Sequence, residues 1–317
     1  MTSVILTLLL AASDAGVLMS RPVSISADKL EVFKKENRAL YTGHAKAVRD
    51  TMTMTCDRLE VFFTPGSDVQ RIVAKGNVYV IDAPSTSLGM NGGGPSTSLG
   101  MNGAGPSTSL GMNGSAPSPS PPSTSPGMNG KEAWGDEAEF INDTGVLTMR
   151  GSPRGKQGPR EIEGEVVTFV TGIDRLVVTK ARTKVKEPKD QRVSIDADLL
   201  TLEGPKNEAK WTGHVRAIKA KTTLLAPELT AHYDDKGEID RVLARGGVEV
   251  TEGDRWARGQ NADYDVPKDT LVVTGKPEAK QGKSRMKGTK VTFFSGSEFL
   301  EVENATTVIE VDRKKGK

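Results

Sequence analysis

Apolar and polar residues alternate with a period of two along most of this chain. Met52, Met54 and Cys56 are spaced by threonines, Leu59, Val61 and Phe63 follow the same rule, and Val78 and Val80 come after Ile72 and Ala74. Further on, Val193, Ile195 and Ala197 alternate, then Leu200 and Leu202. Successive strand side chains point to opposite faces, so this pattern predicts strands with one apolar face. Turn-forming clusters such as Thr64-Pro65-Gly66-Ser67-Asp68 and Asp234-Asp235-Lys236-Gly237 separate the runs. Helical periodicity is missing over most of the chain. The expected fold class is all-β, with many short antiparallel strands joined by hairpins.

One irregularity recurs. In Ile25-Ser26-Ala27-Asp28-Lys29-Leu30-Glu31-Val32 the apolar phase slips by one position between Ala27 and Leu30. It slips again at Ala197-Asp198-Leu199-Leu200 and between Cys56 and Leu59, and Ala138-Glu139-Phe140 is a further candidate. A slip of one turns side chains to the wrong face unless the backbone bulges or bends. Each such strand is expected to turn a corner at the acidic residue, with apolar side chains inward on both legs. The Asp is expected to bond local backbone N–H groups. Strands bent in register make two facing layers with a shared interior.

The pattern is also duplicated. Residues 23–80 align with residues 193–250 at a constant offset of 170, and 19 of the 58 pairs are identical. Past Val80 the match resumes at an offset of 124: Ala138-Glu139-Phe140 with Ala262-Asp263-Tyr264, and Gly164, Val167 and Phe169 with Gly288, Val291 and Phe293. The offsets differ by 46 residues, the net length of an insertion in the first unit. Residues 84–130 account for it. They carry no charge, hold 8 of the 17 prolines, and repeat PSTSLGMNG from Pro84, Pro95 and Pro106. Such a segment buries too little apolar surface to offset its ordering entropy and is expected to be a disordered loop. It reads either as a binding arm or glycosylated stalk, or as tandem expansion at a permissive hairpin tip, which its composition favours. The expected organisation is a leader over 1–15, a first module over 21–187 interrupted by 84–130, a second module over 193–312, and a basic tail over 313–317. Residues 187–192 are too short a link for independent tumbling, so the two sheets are expected to continue across it.

Composition narrows the function classes. Lys+Arg 43 against Asp+Glu 41 leaves a net charge of +2, with no basic field that would argue for nucleic acid. The apolar stretch over 4–12, followed by small residues, resembles a signal peptide and suggests export to the periplasm. The single cysteine, Cys56, excludes an internal disulfide framework and reads as a small buried hydrophobe, since Ala226 is its counterpart. His44 and His214 are also counterparts, one per module, which argues against a shared metal or triad site. Each is expected to follow a Thr-Gly turn at a strand start. No enzyme, cofactor or metal is expected.

The motifs Ser26-Ala27-Asp28-Lys29-Leu30-Glu31-Val32, Thr42-Gly43-His44-Ala45 and Arg71-Ile72-Val73-Ala74-Lys75-Gly76-Asn77-Val78 recur in order in the second unit, and Cys56-Asp57-Arg58-Leu59-Glu60-Val61 stands among them in the first. In that order and spacing the chain resembles the LptA and OstA-like lipopolysaccharide-transport proteins of the periplasm. The resemblance covers nearly all of the chain outside the leader and the insertion. It implies two tandem open β-jellyrolls, V-shaped, with an apolar groove. It implies lipopolysaccharide as partner, its lipid A acyl chains carried along that groove from inner to outer membrane. Strand-edge stacking is implied with an LptC-like inner-membrane protein, an LptD-like outer-membrane protein and further copies of the chain, head to tail. Two modules and a long insertion depart from the single-module form.

The inward residues expected to line such a groove are Ile25, Leu30, Val32, Met54, Leu59, Val61, Phe63, Ile72, Phe140, Val167 and Phe169 in the first module. In the second they are Ile195, Leu200, Leu202, Leu224, Leu229, Tyr233, Val242, Tyr264, Val291 and Phe293. The same residues can instead fill a closed core. Arg71, Lys75, Arg241 and Arg245 could meet lipid phosphates, or serve as solvated charges that deter aggregation. Two other functions stay open: a structural β-repeat scaffold of the envelope that carries no lipid, and a carbohydrate-active β-solenoid enzyme, which needs paired carboxylates facing a groove.

Overall fold

The computed structural model of the chain describes residues 23–49, 52–82, 131–186, 192–234, 238–294 and 299–309. The expected leader, the insertion over 84–130, the link over 187–191 and the basic tail lie outside them. The alternating runs form strands. The first eleven are β1 (Ser24–Ser26), β2 (Lys29–Phe33), β3 (Arg38–Arg49), β4 (Met52–Phe63), β5 (Val69–Asp82), β6 (Lys131–Ile141), β7 (Val146–Arg150), β8 (Arg154–Gln157), β9 (Arg160–Glu163), β10 (Val166–Val170) and β11 (Arg175–Lys186). The rest are β12 (Arg192–Glu203), β13 (Glu208–Lys219), β14 (Thr222–Tyr233), β15 (Ile239–Glu252), β16 (Arg255–Asp265), β17 (Thr270–Thr274), β18 (Glu278–Gln281), β19 (Ser284–Lys287), β20 (Lys290–Phe294), β21 (Leu300–Glu303) and β22 (Thr306–Ile309).

Among the described residues these strands are hydrogen-bonded into one sheet of 22 strands. The duplication appears as a repeat of elements. Strands β3 to β5 return as β13 to β15, and β6 to β10 return as β16 to β20. The unbroken β12 takes the place of β1 and β2 together, and β21 with β22 takes the place of β11.

The corners expected at Asp28, at Asp198 and between Cys56 and Leu59 are present. Ala138–Phe140, however, pairs with β5 in unbroken register, and the corner of β6 lies at Asp136 instead. The register of β12 against β13 shifts between Asp196 and Leu199, and that of β13 against β14 between Thr212 and Val215. Glycine makes the turn possible. Gly43 and Gly213 sit at φ of +77° and +78°, a region that other residues enter only at a cost. A Cβ on Gly213 would lie 2.5 Å from Asp198 Oδ2, so the carboxylate occupies the space a side chain would need.

Beyond the corner the two halves of a long strand take different neighbours. Strand β16 pairs with β17 through residues 261–265 and with β18 through residues 255–258. The sheet thus divides into two leaves, one containing β8, β9, β18, β19 and β22, the other β7, β10, β17, β20 and β21. Trp211 on the second leaf donates its indole N–H to Thr183 Oγ1 on the first at 3.1 Å, across the shared interior. Leu59, Phe169, Leu176, Leu200, Trp211, Val250 and Phe293 belong to one apolar core that runs through both repeats. Fully buried aliphatic and aromatic side chains contribute about 1.5–3 kcal/mol each relative to exposure.

The sheet continues across the link, as expected. Strand β11 pairs with β12 from Arg175 opposite Glu203 to Lys186 opposite Arg192. Cys56 is buried in the core, and burial pushes its thiol up to about 11, which suits a hydrophobe rather than a nucleophile.

Candidate functional site

The interior between the leaves is partly hollow. A cavity of about 170 Å³ in the second repeat is lined by Ile195, Leu224, Leu229, Val242, Tyr264 and Phe293, all expected there, and by Trp211. A second cavity of about 60 Å³ lies at the β11–β12 junction, against Ile195, Leu200, Leu202, Tyr233 and again Trp211. The two share Val193, Ile195, Trp211 and Ile239, so the apolar interior runs through the junction. Val291 is fully buried and lines neither cavity.

In the first repeat Leu59, Val61, Val167 and Phe169 are buried in the core, and Ile25, Met54, Phe63 and Ile72 pack against it half-buried. Phe140 is half-buried. Leu30 and Val32 are 53% and 62% exposed, although their counterparts Leu200 and Leu202 are buried. The residue types are alike; the neighbours differ. Strand β12 is covered by β11, whereas among the described residues β2 pairs with β3 alone.

Aromatic rings and cations meet where the leaves end. The Arg160 guanidinium lies 5.7 Å from the Tyr233 ring centre, Lys219 Nζ 5.5 Å from that of Tyr264, and the Arg255 guanidinium 5.5 Å from that of Phe293. Each cation stands at the outer end of a first-leaf segment, and each ring near the outer end of a second-leaf segment. Lys219 also donates to the Tyr264 hydroxyl at 3.2 Å, and that hydroxyl donates to Asp269. Burial raises the Tyr264 phenol, and its bond to Asp269 adds to the rise. Arg255 is buried, bonds Glu252 through Nε at 3.0 Å, and donates to the Phe299 carbonyl at 3.3 Å.

Sequence reasoning singled out other cations. Arg71 and Lys75 alternate with the core-packed Ile72 and Ala74, so they face away from the interior and pair with Glu139 and Glu137 at 3.1 and 3.9 Å. Arg241 pairs likewise with Asp263, and Arg245 is exposed. The alternation of Ala209 with Trp211 could have marked Trp211 as inward. Nothing local marks Arg160, Lys219 or Arg255, because their ring partners lie 38 to 73 residues away.

The corners hold the histidines. His44 and His214 fall in the middle of β3 and β13, not at strand starts, because the Gly-His pair is taken up by the bulge. Their Nδ1 atoms lie 2.8 Å from Asp28 and 2.6 Å from Asp198. Asp57 likewise accepts from the Asn77 side chain at 2.9 Å, so these carboxylates bond side chains as well as marking the corner. The bond to Asp28 raises the His44 imidazole, and bonds from His214 and then Lys180 lower the Asp198 carboxyl. The two histidines serve separate corners. Among the described residues no group of three His, Cys, Asp or Glu side chains is placed to hold a metal ion.

Comparison with known proteins adds a family. The family described as LptA/(LptD N-terminal domain) LPS transport protein matches residues 24–94 and 194–299, more than half of the chain. An uncharacterized protein of Rhizobium meliloti (strain 1021), R00383, is 30% identical over 95 residues, 27% of this chain and 51% of that protein. The chain thus spans about half the length of this curated relative. Among solved structures there is a match to LptH, the LptA homologous periplasmic component of the conserved lipopolysaccharide transport device from Pseudomonas aeruginosa. It has 13% identity and a TM-score of 0.32, and covers 48% of this chain and 78% of that one.

Proposed function

This chain belongs to the LptA/(LptD N-terminal domain) LPS transport protein family, and from that premise we propose that it is a periplasmic bridge protein for lipopolysaccharide. Its lipid acyl chains move along the interior between the leaves. The observation that carries this reading is the adjacency of the two cavities: Val193, Ile195, Trp211 and Ile239 line both, so hollow apolar interior lies on each side of these residues at the place where one repeat meets the next. Two modules, over 21–187 and 193–312, then act as one length of conduit. The task is binding and passage, without a chemical step.

The two ends of the sheet formed by the described residues would supply the partners. The exposed Leu30 and Val32 stand at one end, and Val308 and Ile309, 62% and 65% exposed, at the other. Open apolar edges recruit further strands. An LptC-like inner-membrane protein, an LptD-like outer-membrane protein or a second copy of this chain would extend the sheet there.

Site-specific photo-crosslinking in cells tests the conduit. A photoreactive residue at Leu224, which lines the larger cavity, is expected to give lipopolysaccharide adducts, and one at Lys210, exposed and paired with Glu228, is not. Adducts at Lys210 alone, or at neither position, would overturn the conduit and leave the envelope-scaffold reading.

A further inference from the structure

An aromatic pair stands on the outside of the first repeat, close to where the insertion leaves it. Tyr79 lies between the core residues Val78 and Val80, and Trp134 follows the core residue Ala133, so both rings are on the outer face of the first leaf. They are opposite one another in the register of β5 and β6, with ring centres 5.5 Å apart and planes tilted by 34°. The Tyr79 hydroxyl donates to Glu132 at 2.9 Å, which holds its ring beside the indole. Arg154 is next in the same cross-strand row, and its guanidinium lies 5.8 Å from the centre of the Trp134 ring. Among the described residues the Trp134 indole N–H and the Arg154 guanidinium have no hydrogen-bond partner. Both residues line an open cleft of about 1210 Å³ that also takes in Asn77, Asp136 and Glu165. An outward aromatic surface beside two unpaired donors suits a ligand that offers apolar rings and bare acceptor oxygens.

The second repeat has neither the pair nor the insertion. Glu249 and Arg258 stand at the positions of Tyr79 and Trp134 and pair with each other at 3.1 Å. Gly253 and Asp254 alone separate β15 from β16, whereas residues 83–130 separate β5 from β6. Asp82 and Lys131, which flank that segment, are register partners and lie three residues from Tyr79 and from Trp134. The segment holds five prolines over residues 117–126, with Pro119 and Pro122 in P-x-x-P spacing. Nine residue steps lead from Pro122 to Lys131. They span up to about 30 Å, so this stretch can reach the rings from its own stem. Proline-rich peptides have the matching chemistry: their carbonyls are not used in internal hydrogen bonds, their rings pack on aromatic side chains, and they lose little entropy on docking.

We propose that Tyr79, Trp134 and Arg154 form a docking platform for a proline-rich peptide, and that its occupant is residues 117–126 of the same chain. Proline rings lie on the indole face, and the indole N–H and the Arg154 guanidinium donate to carbonyls between them. The short tether gives a local concentration of the order of millimolar, so the chain's own segment outcompetes a free peptide. The contact ties the insertion to the outer face of the first leaf, away from the interior between the leaves. It does not depend on what that interior carries.

NMR of the full chain with isotope-labelled tryptophan tests it. The Trp134 indole signal, assigned with Trp134→Phe, is expected to move in a chain carrying Pro117→Ser, Pro119→Ser, Pro121→Ser, Pro122→Ser and Pro126→Ser, and the signals of Trp211 and Trp256 to stay. A synthetic peptide of residues 115–126 is expected to bind this substituted chain about tenfold tighter than the wild type, whose own segment competes. In the substituted chain Trp134→Ala should abolish peptide binding, and Trp256→Ala, in the second repeat, should leave it unchanged. Trp134→Phe keeps a ring and should weaken binding about fivefold by loss of the indole hydrogen bond; it remains informative should Trp134→Ala fold poorly. An unmoved Trp134 signal, with a peptide that still binds the substituted chain, overturns the internal contact and gives the platform to a proline-rich segment of another protein. A peptide that binds neither chain, or whose binding survives Trp134→Ala, overturns the platform itself.

Discussion

At the corner of a bent strand the backbone leaves little room, and the residues there are chosen for size and charge together. Gly43, Gly76, Gly151 and Gly213 all have φ between +75° and +80°, and a Cβ on any of them would fall within 2.5 Å of a carboxylate oxygen of Asp28, Asp57, Asp136 or Asp198. At two of these corners the next residue is a histidine bonded to the same carboxylate. Both members stand in solvent, so the pair acts on titration more than on the core. The His44 imidazole, raised by Asp28, should titrate above the ordinary histidine value of about 6.5. Its contribution to stability is complete below the ordinary value and is lost as pH rises through the raised one. The Asp198 carboxyl behaves in the opposite sense: its contribution is present above the ordinary carboxylate value and is lost as pH falls through the lowered one. NMR titration of the His44 ring checks the first statement. We expect Asp28→Asn to return the ring to the ordinary value, and an unchanged titration would show that the 2.8 Å contact does not persist in solution.

A strand's burial depends on its neighbours as much as on its own sequence, and the duplication makes this measurable. Leu200 and Leu30 occupy equivalent positions, fully buried in β12 and 53% exposed in β2. Leu200→Ala is expected to cost about 2–5 kcal/mol of stability in urea denaturation, by loss of transfer energy and creation of a cavity. Leu30→Ala should change the stability of the dilute chain by about 0.5 kcal/mol or less. Comparable losses at both sites would mean that β2 is covered in solution. The same contrast explains what the sequence could reveal. Period-two alternation, the phase slips at Asp28 and Asp198, and the paired offsets of 170 and 124 were local or internal signals, and each became strands, corners and repeated elements. The exposure of Leu30 and Val32 was not legible, because it depends on which strand ends the sheet among the described residues. Thr42-Gly43-His44 suggested a turn at a strand start, since glycine punctuates turns and bulges alike. The contacts where the leaves end were hidden for a third reason: Lys219 and Tyr264 come together only when the sheet folds over, 45 residues apart in sequence.

At the scale of the whole molecule the β11–β12 junction is a template for what the free ends can do. Repeat symmetry carries β11 onto β21 and β22, and β12 onto β1 and β2. The pairs Leu176–Leu202 and Val178–Leu200 then predict Leu300–Val32 and Val302–Leu30 between one copy and the next. The charges do not carry over. Inside the chain Lys180 pairs with Asp198 at 3.1 Å and Arg182 with Asp196 at 2.7 Å. Between copies Asn304 would face Asp28, Thr306 would face Ser26, and Glu301, at the position of Val177, would face Glu31 at the position of Thr201. Exposed ion pairs contribute only about 0–1 kcal/mol each, and like charges opposite one another oppose pairing, so the junction between copies should be apolar, weaker and reversible. Disulfide trapping measures its register. In a Cys56→Ala background, which places at that site the alanine of the second repeat, chains carrying Leu30→Cys and chains carrying Val302→Cys are mixed and oxidised. The mixed dimer is expected on a non-reducing gel, and Ile309→Cys in place of Val302→Cys should not trap Leu30→Cys. Equal trapping by both would mean that the ends associate through their apolar surface without sheet register, and the internal junction would then be no guide to how copies stack.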